Sequence, residues 1–155
     1  GIPLHHQNEI IKTMKEAIEF LKENKEVAFA TVGEDNRPKI RVFQIMKFDG
    51  TTLYFATSPT KRVYAELQEN PSVEILSRKG NIFVRVAGNA LFDIPDAIQQ
   101  EIYNTNPVLP RLYANYTKLE YFRVKIVNMD YYDLTPTPPV LQHYDVAIGE
   151  RNDNR

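Results

Sequence analysis

The chain contains no cysteine. A disulfide framework, a thiolate zinc site, a cysteine-held iron–sulfur cluster and a cysteine nucleophile are all excluded, and a reducing cytoplasm is the expected compartment. Excess basic charge is also missing, since 19 Lys and Arg stand against 20 Asp and Glu for a net charge of -1. A duplex binder needs such an excess to displace counterions, and a single-strand binder needs a basic groove with aromatic platforms. Nucleic acid is therefore not an expected partner. No apolar run approaches the roughly 20 residues that span a bilayer, the N-terminus lacks the basic-then-apolar order of a signal peptide, and no internal repeat is visible. Membrane insertion is not expected.

What remains fits one globular domain: 155 residues, 43% hydrophobic and 25% charged, enough for a single continuous core. Ile10, Ile11, Met14, Ile18 and Leu21 recur at helical spacing, which predicts an amphipathic helix over 8–24 with Asn8 as its cap. Strands are expected at 27–32, 38–48, 51–56, 73–77, 82–91 and 121–127, with 131–134 as a short edge. Asp49-Gly50 forms the hairpin turn between the second and third. In 38–48 the alternation puts Ile40, Val42, Met46 and Phe48 on one side, and Lys39, Arg41 and Lys47 on the other. Ser58 as cap and Pro59 as first helical residue open a short helix that Asn70-Pro71 ends, and a further helix covers 96–103. Six short strands with hairpin links and two or three helices indicate a mainly β fold, a small antiparallel barrel with flanking helices. Residues 8–134 form the domain. Pro136, Pro138 and Pro139 open a tail over 135–155, strapped on the surface or loose. Residues 1–7 do not begin with Met, are read as partly a cloning remnant and carry no functional weight.

The chemistry concentrates between Arg41 and Lys61. A helix start offers unpaired backbone N–H groups and the positive end of the helix dipole, where an anion is favoured and a cation is not. Lys61 placed there is a local cost that a bound phosphate would offset, and Arg41 can present a planar fork of donors to the same oxygens. Two charge-assisted bonds give roughly 1.5–3 kcal/mol each, whereas association costs roughly 4–15 kcal/mol. A tight ligand must then bury an apolar or aromatic body as well, as a nucleotide-like cofactor does.

The segments Pro38-Lys-Ile-Arg41-Val-Phe-Gln44, Leu53-Tyr-Phe-Ala-Thr-Ser58, Thr60-Lys61, Leu67-Gln-Glu-Asn-Pro71 and Ile82-Phe-Val-Arg85-Val-Ala-Gly88 together resemble the FMN-binding split-barrel family of pyridoxamine 5′-phosphate oxidase-like proteins. They are most similar to its small bacterial members grouped with nitroimidazole-resistance proteins. The resemblance implies a six-stranded antiparallel split β-barrel, Greek-key-like, with FMN as cofactor. It implies that Arg41 and Lys61 grip the phosphate, with Thr57, Ser58 and Thr60 lending hydroxyl or backbone donors. Phe43, Gln44 and the backbone around Val42 would border the isoalloxazine ring. It further implies a homodimer with the flavin at the subunit interface, which Phe83 and Arg85 would reach from the partner chain. The chain departs from the family pattern at Lys39 and Val42. It also lacks the closing arginine–leucine–any–proline segment of true pyridoxamine phosphate oxidases, so vitamin B6 oxidation is not expected.

The activity implied is that of an oxidoreductase passing electrons between the flavin and a small-molecule donor or acceptor, with no catalytic side chain identified. The alternative is a non-catalytic flavin- or haem-binding sensor, with His143 as a candidate axial ligand. Bland readings stand beside these. Gln44 is as readily a satisfied core amide as a ring contact. Tyr103, Tyr113 and Tyr116 are read as interface rather than pocket residues. Asp93, Asp96 and Glu101 are read as helix-end and surface charges. His5 and His6 are adjacent rather than helically spaced, so no metal site is assigned.

Overall fold

The computed structural model of the chain describes residues 4–146, with side chains from residue 14 onward. The strands are β1 (Glu26–Val32), β2 (Pro38–Gln44), β3 (Lys47–Asp49), β4 (Thr52–Thr57), β5 (Ser72–Lys79), β6 (Ile82–Leu91), β7 (Glu120–Asp133) and β8 (Val140–Asp145). They form one eight-stranded sheet in the order β2-β1-β5-β6-β7-β4-β3, with β8 paired to β7. Every pairing is antiparallel. The sheet curls into a split barrel whose two ends, β2 and β3, are joined by the chain at Ile45-Met46 rather than by a ladder. Helices α1 (Leu4–Glu23), α2 (Arg62–Glu69), α3 (Asp96–Thr105) and α4 (Val108–Leu112) flank it, with a 3₁₀ turn at Tyr116–Lys118. None of the described helices is long and apolar enough to cross a membrane.

The mainly β, antiparallel split-barrel architecture is the expected one; the strand count is eight rather than six. The continuous strand expected over 38–48 breaks because Ile45 N–H bonds to Lys25 O at 2.9 Å and Met46 N–H to Tyr54 O at 2.8 Å. The chain thus changes partner from β1 to β4 within two residues. The two strands read at 121–127 and 131–134 are one, β7, whose outer edge takes β4 along its first half and β8 along its second. Residues 140–145, expected within a tail, are β8, with Tyr144 and Val146 buried in the core. Residues 1–3 of the N-terminal segment and 147–155 of the tail lie outside the described residues. Helix α1 begins before Asn8, so that residue falls within the helix rather than capping it, and its side chain lies outside the described residues.

The core explains the closure. Phe29, Phe55 and Phe122 are wholly buried, with Phe55 and Phe122 stacked at 5.3 Å and Phe43 edge-on to Phe29 at 4.9 Å. Helix α2 inserts Val63 and Leu67 at one end of the barrel, and α1 inserts Ala17 and Leu21. On the other face of β4 and β7, α3 and α4 cover a second cluster that includes Tyr54, Ile102, Leu109 and Tyr121. Tyr103, Tyr113 and Tyr116, read from sequence as interface residues, pack against this intrachain cluster and stay half-buried. At Gly88, where the β6–β7 register shifts, a Cβ would come within 2.4 Å of Lys125 O. Only glycine lets the two strands approach so closely there.

Tyr121 gives a pH prediction. Burial pushes its phenol up to about 12 from the ordinary 10.0. The folded state holds this proton more tightly than the unfolded chain does, so the unfolded chain binds fewer protons as pH rises from about 10 to about 12. Stability is therefore expected to fall across that window. Urea melts at stepped alkaline pH check this, and Tyr121→Phe should shallow the decline.

Candidate functional site

The expected phosphate corner is built by the end of β4, the turn after it and the start of α2. Ser58 does not cap the helix. Its hydroxyl lies 2.8 Å from Thr60 Oγ1 and accepts from Thr60 N–H at 3.3 Å, while Lys61 N–H bonds to Ser58 O at 3.1 Å. Ser58-Pro59-Thr60-Lys61 is thus a β-turn with Pro at its second position, a placement that proline's fixed φ favours. Lys61 takes the N-cap position in extended conformation with no side-chain cap bond. The first turn of α2 therefore carries uncapped amides, with two exposed cations, Lys61 and Arg62, beside them. Neither makes an ion pair among the described residues. Arg62 was not singled out from sequence. The missed signal is its place one residue past a turn that Ser58-Pro59 already indicated.

Thr57 precedes this turn, is 3% exposed, and its Oγ1 is buried without a hydrogen-bond partner among the described residues. A buried unpaired hydroxyl costs about 1–3 kcal/mol. A corner with this orphaned hydroxyl, uncapped amides and two unpaired cations fits the phosphate end of FMN. Thr57→Val keeps the shape and deletes the hydroxyl. It is expected to raise the thermal midpoint of the ligand-free protein and to weaken FMN binding, a split that paired melting curves and FMN titrations would read.

Arg41 reaches the corner from inside the barrel. Its guanidinium donates to Thr31 Oγ1 at 2.7 Å and Phe29 O at 3.2 Å through Nη1, and to Glu66 Oε1 at 2.8 Å through Nη2. Glu66 is 5% exposed and also accepts from the Thr31 hydroxyl at 2.9 Å. Three of Arg41's five N–H donors are thereby committed. This reverses the facing of β2. Ile40 and Val42 are each 71% exposed, while Lys39, Arg41 and Phe43 turn inward. Period two was correct, but both faces of this strand mix apolar and polar residues, so pattern alone could not set which one is buried. The Phe43 ring belongs to the aromatic core. Gln44 shares the outer face with Val42 and is half-buried.

The other expected contacts lie elsewhere in the same chain. Val42, Ala28, Leu76 and Arg85 follow one another across β2, β1, β5 and β6, so Arg85 stands about 14 Å from Val42 by strand spacing. Arg85 and Phe83 therefore stand well apart from Val42 and Gln44 within one chain. Arg85 donates through Nε to Asp130 Oδ2 at 3.0 Å and through Nη2 to Tyr132 Oη at 2.9 Å; the Asp130 bond is the main reason its charge is held above the usual arginine range. Phe83 lies under the Arg78 guanidinium at 5.6 Å. His143, on β8, places Nδ1 2.6 Å from Asp130 Oδ1. The acidic residues near α3 are paired: Asp93 takes two bonds from Arg123, both 3.0 Å, Asp96 accepts from Tyr116, and Glu101 pairs with Lys47 at 2.7 Å.

Comparison with known proteins accords with this architecture. The sequence profile of the family described as pyridoxamine 5′-phosphate oxidase matches residues 13–136. A Caenorhabditis elegans protein provisionally named a pyridoxamine 5′-phosphate oxidase is 33% identical over 88 residues, 56% of this chain, which spans 38% of that relative's length. Three crystal structures share the fold. A protein related to general stress protein 26 from Clostridium acetobutylicum superposes with a TM-score of 0.74 at 16% identity, over 88% of this chain and 96% of the other. A nimC/nimA family protein from the same organism gives 0.67 at 22% identity, over 92% and 98%. A pyridoxamine 5′-phosphate oxidase-related, FMN-binding protein from Nostoc punctiforme gives 0.64 at 15% identity, over 86% and 88%.

Proposed function

The chain belongs to the pyridoxamine 5′-phosphate oxidase family, and from that premise we propose that it binds FMN and serves as a flavin-dependent oxidoreductase toward a small-molecule donor or acceptor. The observation that carries this reading is the α2 corner, where uncapped amides and the unpaired Lys61 and Arg62 stand beside the orphaned Thr57 hydroxyl. Lys61, Arg62, Ser58 and Thr60 bind the phosphate, and Arg41 stands on the barrel side of the corner, held by Glu66. FMN, when bound, supplies hydride or single-electron transfer.

The protein's part is to hold the ring and exclude water. The outer face of β2, β1 and β5 supports a homodimer with the flavin between protomers: Ile40 and Val42 are 71% exposed and Leu76 41%, an apolar surface that a partner would cover. Val42 backbone and Gln44 border the ring on that face, and Phe83 and Arg85 of the same sheet approach it across the seam.

His143 favours one second reading. Its Nδ1 lies 2.6 Å from Asp130 Oδ1 on a side chain 63% exposed, and a carboxylate orienting one ring nitrogen in this way is common to metal-ligating histidines. A haem sensor would use it so. The visible spectrum of the purified protein separates the two. Flavin bands released on denaturation are expected; a colourless protein that does not take up added FMN overturns the proposal, and a Soret band favours haem.

A further inference from the structure

The polar cleft beside the corner, about 310 Å³, is lined by Glu34, Asp35, Lys39, Arg62 and Glu66. Its acidic and basic side chains nearly balance, and Lys39 is held by Asp35 at 3.1 Å. Glu66 is distinct among them because it is buried and faces two elements at once. It sits one helical turn beyond Arg62 and holds the Arg41 guanidinium at 2.8 Å, and Thr31 on β1 bonds to both. This carboxylate anchors Arg41 and also cancels its charge within the low-dielectric barrel end, where opposite charges act strongly on one another. For an anion bound at the start of α2, Arg41 and Glu66 then behave as a neutral unit. The positive field comes from Lys61 and Arg62.

We propose that Glu66 is a positioning residue that limits the affinity of this corner for the cofactor phosphate by holding and neutralising Arg41. The proposal rests on the FMN reading above. It makes the roles of the two residues inseparable. Removing Arg41 alone leaves a buried, uncompensated carboxylate beside the phosphate, whereas removing both charges does not. Removing Glu66 alone frees a third positive charge.

The test is a set of fluorescence titrations with FMN and with riboflavin, which lacks the phosphate, on the wild type, Glu66→Gln, Arg41→Gln and the double variant. Thermal melts confirm that each is folded. Glu66→Gln should bind FMN about tenfold more tightly than the wild type, a change of about 1.4 kcal/mol and near the weight of a charge pair screened by bulk water, with riboflavin unchanged. The double variant should bind FMN more tightly than Arg41→Gln alone. If Arg41→Gln does not fold, the comparison passes to Glu66→Gln against the double variant, which should be the weaker. Weakened FMN binding in Glu66→Gln with riboflavin intact overturns the proposal, as does a double variant no better than Arg41→Gln. A wild type that binds neither flavin overturns the FMN reading and this inference with it, an outcome distinct from the other two.

Discussion

Alanine at both Lys61 and Arg62 is expected to weaken FMN binding by about 10²–10⁴-fold, the product of two charge-assisted contacts worth roughly 1.5–3 kcal/mol each. Both side chains are exposed and neither is ion-paired among the described residues. The fold therefore loses nothing when they go. The double variant should melt with the wild type and retain its riboflavin affinity, so that FMN and riboflavin titrations together isolate the phosphate. The contrast is Arg41→Ala, which strips Glu66 of its buried partner and should lower stability as well as binding, because a buried charge left alone is costly. A Lys61/Arg62 variant that retains FMN at wild-type strength would move the phosphate away from the start of α2.

Phe55→Ala is expected to destabilise the protein by about 3–5 kcal/mol, the range for emptying a buried aromatic site. Phe55 is wholly buried and touches three other rings: Phe122 stacked at 5.3 Å, Phe29 edge-on at 5.2 Å and Phe43 at 5.8 Å. These rings come from β4, β7, β1 and β2, which include the end strand β2 and the strand next to the opposite end, β4, so the cavity would loosen barrel closure itself. Urea melts should show a lower midpoint at similar slope. The loss should propagate to the corner, since Phe55 and Thr57 lie on the same face of β4, two residues apart.

Much of the fold was legible because its signals are local. The strand over 82–91 matched β6 at both ends, and the hairpin read at Asp49-Gly50 is present one residue on, with Asp49 paired to Thr52 and Gly50-Thr51 as its turn, Gly50 at φ 57°. Both follow from residue type and period alone. The break in 38–48 was not legible, because Ile45 and Met46 leave the ladder to meet Lys25 and Tyr54, partners that the chain brings together only after it curls. The start of α2 was misplaced by a few residues for a related reason. Ser58 can cap a helix or close a turn, and which it does depends on whether its hydroxyl meets an amide of the helix or Thr60.

The class of this protein was readable from the chain alone: a cysteine-free, charge-balanced antiparallel barrel with cations gathered near the Ser58-Pro59 turn. These are properties of composition and of short-range period, and they survive any arrangement of the strands. Which face of β2 lies inside depends on how the sheet curls, and that facing makes Arg41 the partner of Glu66. A charge can enter a barrel only where an opposite charge is waiting. Arg41 and Glu66 are 25 residues apart, a separation across which no periodicity in the sequence carries information.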